Sequence, residues 1–383
     1  MESVYLDNAA TTPLAEEVRA ELLRVLQEDW GNPSSRHRRG VAAREALDRA
    51  RRQVARALGT QPELVYFTSG GTEANNLALL GVAHGPATDG ASIWIGPTEH
   101  ASVRESAATL ERGGFEVRRG RLDAAGALDL EQLEESLDAG TRLVAQMHVS
   151  NEFGSLYPLA QVAALVRARS PRARVHVDAI QSFGKLPVTL TELGADSLSI
   201  SGHKIHGPQG IGALALARPL DLEPLIHGGG QERGLRSGTE NLAGAVALGR
   251  AVELAESSRA ATFEHLRSLR RQFLAGLERH PEITCLSPGP AEAQQPGILS
   301  LLVPGAPAEV WLHHLDARGV VVGTGSACQA NKKDVSPVLL AAGLSPEDAR
   351  RVLRLSFSRE TRPQDVERAW FALGEVAQEL GRL

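Results

Sequence analysis

Two residues of opposite charge follow neighbouring apolar runs, and together they suit covalent chemistry on a flat cofactor. Asp178 closes the run Arg174-Val175-His176-Val177, and Lys204 comes just after Ser197-Leu198-Ser199-Ile200. Both runs are short and rich in β-branched residues, as strands are. In a parallel sheet the carboxyl ends of successive strands open onto one crevice, where ligands bind. An acid and an amine at two such ends would face a flat heterocycle from two sides. Pyridoxal phosphate asks for that pair: the lysine forms a Schiff base, and the acid keeps the ring nitrogen protonated as an electron sink. Taken alone, the two residues also read as a surface ion pair or as unrelated solvated charges.

Other residues bear on the choice. Phe67-Thr68-Ser69-Gly70-Gly71-Thr72-Glu73 reads as strand, glycine turn and helix start. The free N–H groups and positive end of such a helix suit a phosphate; plain N-capping by Thr72 is the other reading. His100 follows a further strand end in Thr98-Glu99-His100 and is either structural or placed to stack on a ring and move protons. Cys328, in Gly323-Thr324-Gly325-Ser326-Ala327-Cys328, is a thiol on an uncluttered loop, either a nucleophile or an incidental cysteine. Cys285, flanked by apolar residues, reads as a buried small hydrophobe.

Regular elements must carry these positions. Strands are expected at 64–68, 92–95, 143–147, 174–177 and 197–200, with helices opening at Thr72, near Thr98 and from Pro158. This alternation is the mark of an α/β fold with a mainly parallel sheet covered by helices. The stretch Val41–Leu58 has helical period, with Leu47, Ala50, Val54 and Leu58 on one face and Gly59 as its stop. From about residue 261 the texture becomes α+β. Helices are expected at 261–279, 306–318 and 363–381, and strands at 283–286, 297–303, 320–322 and 352–357. In the last helix Val366, Trp370, Leu373, Val376 and Leu380 form a core-facing stripe.

Composition excludes several classes. With 41 Lys+Arg against 46 Asp+Glu the net charge is -5, which offers no field for nucleic acid. Two cysteines make no disulfide framework and fit a reducing compartment. The start lacks a signal-peptide profile and no apolar run is long enough to span a bilayer, so no membrane association and a cytoplasmic location are expected. His203-x-x-His206 and His313-His314 lack the spacing of a zinc helix, so no metal is expected.

The ordered set of motifs resembles the cysteine desulfurases, pyridoxal-phosphate enzymes of the class V aminotransferase type. It runs from Tyr5-Leu6-Asp7-Asn8-Ala9-Ala10-Thr11-Thr12 and Gly31-Asn32-Pro33 through the Thr68–Glu73 turn and Thr98-Glu99-His100. Met147-His148-Val149-Ser150-Asn151-Glu152, Val177-Asp178-Ala179 and Ser201-Gly202-His203-Lys204 follow. Arg236-Ser237-Gly238-Thr239 and Gly325-Ser326-Ala327-Cys328 complete it.

The resemblance implies a fold-type I enzyme with a seven-stranded sheet in a large domain, 15–260. A small domain, 261–383 with the N-terminal arm 1–14, would carry the catalytic cysteine loop. It implies Lys204 as the Schiff-base lysine, Asp178 as partner of the ring nitrogen, His100 stacked on the ring and Gln181 on the ring hydroxyl. Gly71, Thr72, Ser201, Gly202 and His203 would hold the phosphate, helped by Thr239 from the other subunit of a homodimer. Asn151 would contact cofactor and substrate, with Asn32 near the same site, and Arg354 would clamp the substrate carboxylate. The implied reaction turns L-cysteine into L-alanine. Its sulfur would pass as a persulfide on Cys328 to an acceptor protein, which the polar Gln329–Lys333 segment after Cys328 leaves unspecified.

Overall fold

The computed structural model describes residues 3–83, 91–286, 293–324 and 335–380. After a short strand β1 (Val4–Tyr5), seven strands build the central sheet. They are β2 (Val65–Thr68), β3 (Ser92–Ile95), β4 (Glu116–Arg119), β5 (Thr141–Met147), β6 (Arg174–Asp178), β7 (Ser197–Ser201) and β8 (Gly212–Leu216). Their order across the sheet is β2-β8-β7-β6-β5-β3-β4. β8 runs against both neighbours and every other pair is parallel. Nearly every residue of β5, β6 and β7 is buried, as in strands covered by helices on both faces. Met147 pairs with Asp178, and Asp178 with Ser199, so the carboxyl ends of these three strands lie level.

The expected strands of this sheet lie within about two residues of the observed ones. Two more were not anticipated. β4 is a half-exposed edge strand, Glu-Val-Arg-Arg, whose charges hide any apolar alternation. β8 is Gly-Ala-Leu-Ala-Leu, a composition that does not favour strands until it is paired on both sides. The helix Arg38–Leu58 buries Leu47, Ala50, Val54 and Leu58 and ends on Gly59 at φ 69°.

A helix expected to begin at 261 is instead the second half of one 36-residue helix, Leu242–Leu277. Nothing from Ala251 to Ala275 is glycine or proline, so the helix continues, with the Ser257 and Ser258 hydroxyls turned back onto the Leu254 carbonyl inside it. Its first half packs in the core of the central sheet through Leu248, Ala251 and Val252. Its second half packs through Leu266, Leu269 and Phe273 in a separate core.

That second core belongs to β9 (Thr284–Cys285), β10 (Ile298–Leu302), β11 (Val320–Val321), β12 (Gly323–Thr324) and β13 (Val352–Ser356). Four of them form an antiparallel sheet in the order β12-β13-β10-β9, and β11 pairs with β1 in parallel. The last helix, Pro363–Leu380, buries the stripe Val366, Trp370, Leu373, Val376 and Leu380 against it. The N-terminal arm joins the two cores: Asp7 bridges to Ser356 of β13, and Thr12 N–H donates to the His203 carbonyl. Cys285 is half-buried rather than buried, because β9 is a two-residue edge strand with no strand beyond it to cover the thiol.

Candidate active site

The level strand ends open into a cavity of about 820 Å³. Asp178, His100, Lys204 and Arg354 all line it, together with the turn before the helix Gly71–Ala83 and the arm at Ala9–Thr11. Asp178 ends β6, and both of its oxygens accept hydrogen bonds: Oδ1 from Ile180 N–H at 3.0 Å and Oδ2 from Asn75 Nδ2 at 2.7 Å. Lys204 sits in a 3-10 turn, Gly202–Lys204, directly after β7. Its Nζ donates to the carbonyls of Ala9 at 2.5 Å and Ala10 at 2.7 Å, so backbone oxygens of the arm hold the amine in the cavity. Lys185 donates from below to the Lys204 carbonyl at 2.9 Å. Burial, with Lys204 adding, lowers the Lys185 amine to about 7.

The glycine turn is shaped for an anion. Thr72 lies inside the helix rather than capping it. The side chain that folds back is Glu73, which accepts Ser69 N–H at 2.8 Å and is itself tied to Arg236. Gly71 leaves room for the end of Ile180, since a Cβ there would sit 2.1 Å from Ile180 Cδ1 and force that methyl to move. Ser201 Oγ is buried at the cavity wall with no hydrogen-bond partner among the described residues, an orphan that a phosphate oxygen would satisfy. His203 lies beside it, its Nδ1 3.2 Å from Thr11 Oγ1, and burial with the Lys204 charge lowers it to about 4. A pyridine ring with a phosphate arm fits this lining: a helix N-terminus and an unsatisfied hydroxyl suit the phosphate, and a carboxylate and an amine suit the ring.

His100 serves two ends at once. It is the N-cap of the helix Ala101–Arg112, where Nδ1 accepts Ser102 N–H at 3.1 Å, and it lines the cavity. Burial lowers its proton affinity; Lys204 and Arg104 act the same way and Asp178 opposes them. Gln181 also lines the cavity and donates to the Ala9 carbonyl at 2.9 Å. Arg354, on β13 and 2% exposed, donates to Asp7 Oδ1 at 2.8 Å and to the Asn151 carbonyl at 3.1 Å. Its Nε and the Asn151 Oδ1 are buried without partners among the described residues.

Three expected residues stand apart from this cavity. Gly202 is buried behind it, its N–H donating to the Ile211 carbonyl, and serves the turn rather than the wall. Asn32 is exposed and caps its own turn by accepting Ser34 N–H at 2.8 Å. Thr239 is exposed and lines a second cavity of about 280 Å³ with Ser69, Gly210 and Arg236. Cys328 lies outside the described residues, as do Gly325, Ser326 and Ala327. Sequence reading missed Asn75, Ser102, His176, Lys185 and the arm carbonyls. No local pattern singles out Asn75, which lies with Thr72, Glu73 and Asn76 in the polar first turns of the helix Gly71–Ala83, ahead of the apolar run from Leu77.

The Aminotransferase class-V family model matches residues 4–369. A cysteine desulfurase IscS of Dictyoglomus turgidum is 38% identical over 377 residues, covering 98% of this chain and 95% of that protein. Among solved structures, a NifS-like protein superposes with a TM-score of 0.91 at 34% identity over all of both chains. SspA in complex with cysteine gives 0.80 at 32% identity, covering 93% of this chain and 99% of that one. The chain belongs to the class-V aminotransferase family and, within it, to the pyridoxal-phosphate-dependent cysteine desulfurases.

Proposed function

We propose that the chain takes L-cysteine to L-alanine at the Lys204–Asp178 cavity and carries the sulfur on Cys328 before an acceptor protein receives it. The observation that supports this best is convergence. Asp178, His100, Lys204 and Arg354 come from four separate segments and line one cavity. Gly71, Thr72, Ser201 and His203 would hold the cofactor phosphate, Gln181 its hydroxyl and Asp178 its ring nitrogen. When bound, pyridoxal phosphate supplies a covalent handle for the substrate amine and an electron sink.

The chain's own residues do the rest. Arg354 binds the substrate carboxylate, which satisfies its unpaired Nε, and Asn151 borders the same place. The Lys204 amine takes the proton from the α-carbon, and His100 moves a proton near the ring. The Cys328 thiolate attacks the substrate sulfur. The carbon–sulfur bond breaks, a sulfur–sulfur bond forms, and L-cysteine plus Cys328–SH becomes L-alanine plus Cys328–S–SH. No outside oxidant is needed.

The exposed Thr239 beside a second cavity suits a contribution to a neighbouring copy's phosphate, hence a homodimer. The two cores, meeting along the helix Leu242–Leu277, support a division at about residue 260 with the arm joined to the second unit. Among the described residues no helix is long and apolar enough to cross a membrane, which suits work in the cytoplasm.

The test supplies L-cysteine and pyridoxal phosphate under a thiol reductant and measures alanine and sulfide. Equal release of both is expected. Amino transfer to an added keto acid without sulfide would replace this reading with an aminotransferase.

A further inference from the structure

We propose that Asn75 is a positioning residue whose single amide orients Asp178 and, through Ser102, fixes His100 as the tautomer protonated on Nε2. The inference rests on the cavity's reading as a cofactor site and adds the network beneath it.

The donors can be assigned one at a time. Asn75 is completely buried one turn into the helix Gly71–Ala83, and its Nδ2 lies 2.7 Å from Asp178 Oδ2 and 2.9 Å from Ser102 Oγ. A carboxylate oxygen only accepts, so the NH₂ faces Asp178, and its second hydrogen goes to Ser102. The Asn75 Oδ1 then faces His176 Nε2 at 3.1 Å, so that nitrogen carries the proton. His176 Nδ1 is left to accept from Ser197 Oγ at 2.9 Å.

At the other end Ser102 N–H points at His100 Nδ1, and a backbone amide can only donate. His100 Nδ1 is therefore bare. Ser102 Oγ, 2.9 Å from the same nitrogen, gives its hydrogen there and keeps its lone pairs for Asn75. A neutral imidazole with a bare Nδ1 has its hydrogen on Nε2. Burial favours the neutral ring.

Every proton in the chain His176–Asn75–Ser102–His100 thus runs one way, and Asp178 is fed from its middle. One amide sets both residues expected to face the cofactor ring. His100, which lines the cavity, would then offer a hydrogen at Nε2 there and would act as a base only after giving that proton away. Among the described residues, the charged and titratable groups that face this pair include Glu99 just before the helix Ala101–Arg112, Arg104 in its first turn, His176 on β6 and Lys204 after β7. Glu99 is fully buried, and burial holds its carboxyl well above the usual range.

The full chain with ¹⁵N-labelled histidine tests the assignment, with and without added pyridoxal phosphate. His100, identified by the signal lost in His100→Gln, should show a protonated Nε2 and a bare Nδ1 between about pH 6 and pH 8. A protonated Nδ1 overturns the proposal. Asn75→Asp places an acceptor where two donors stood, beside the Asp178 carboxylate, so the two acids share a proton. The kcat for alanine release should fall about tenfold or more, the acid limb of its pH profile should move up, and KM should stay within about twofold. Asn75→Ala removes the donors without adding charge, so kcat falls while the acid limb moves up by less than in Asn75→Asp. Unaltered kcat and pH profile in Asn75→Asp overturn the proposal. If even the parent protein releases no alanine, the desulfurase reading fails, and the ring-nitrogen spectra still decide the tautomer.

Discussion

The floor of the cavity and its rim are held in different ways. On the floor, Asp178 and His100 are tied to a buried network of Asn75, Ser102 and His176, all within the central sheet and the helices on it. On the rim, Arg354 comes from the second sheet and is held by Asp7 of the arm and the Asn151 carbonyl of the first core. The ion pair passes so close to β12 that a Cβ on Gly323 would lie 2.4 Å from Asp7 Oδ1. Glu152, next to Asn151, accepts from Ser336 Oγ at 2.8 Å, at the head of the short helix Pro337–Ala341. The floor is therefore aimed before any ligand arrives, which is what cofactor chemistry needs. The rim instead depends on how three chain segments meet, the arm at Asp7, the turn at Asn151 and β13 at Arg354.

The largest expected break is on the floor. Lys204→Ala should abolish alanine release and let added pyridoxal phosphate dialyse away, read from loss of the yellow absorbance. Turnover at the parental rate would remove Lys204 from its role. Cys328→Ala should separate the two halves: cofactor absorbance and L-cysteine binding persist while alanine release stops. On the rim, Arg354→Lys should raise the KM for L-cysteine about 30-fold, since an ammonium cannot supply the guanidinium fork, and leave the cofactor spectrum unchanged. A raised KM with an altered spectrum would mean that floor and rim are not separable.

Smaller effects sharpen the contrast. Burial raises the Glu152 carboxyl from 4.5 to about 7. The folded chain then binds a proton that the unfolded chain has lost, so this group's contribution is full below about pH 4.5 and fades as pH rises to about 7. Glu152→Gln should flatten the fall in Tm over that window, by the equivalent of about 1–3 kcal/mol. A Tm difference from the parent that does not vary with pH would contradict it. Cys285→Ala should cost about 1 kcal/mol or less by urea unfolding, because the edge strand leaves the thiol half-exposed, and turnover should be unaffected.

Much of the floor was readable along the chain. Asp178, Lys204 and the glycine turn each follow a strand with a recognisable pattern, and strand ends of a parallel sheet share a crevice. The roles of Arg354, Gln181 and Asn151 came only through family resemblance, since a lone arginine in Leu353-Arg354-Leu355 has the pattern of any half-buried strand. The Asn75 network was not legible. Its members, Asn75, Ser102 and His176, lie far apart in the chain and meet only when the sheet register is set. Backbone carbonyls such as those of Ala9 and Ala10 have no residue signature at all. The long helix Leu242–Leu277 was divided at the change in texture, where the core it packs against changes and the helix does not.

The most direct test of sulfur transfer is mass spectrometry of the full-length enzyme, loaded with pyridoxal phosphate, after a short pulse of L-cysteine without reductant. One added sulfur on the peptide that contains Cys328, with one alanine released per chain, is the expected result. Sulfur on the Cys285 peptide instead, or alanine released with no sulfur on Cys328, would contradict it.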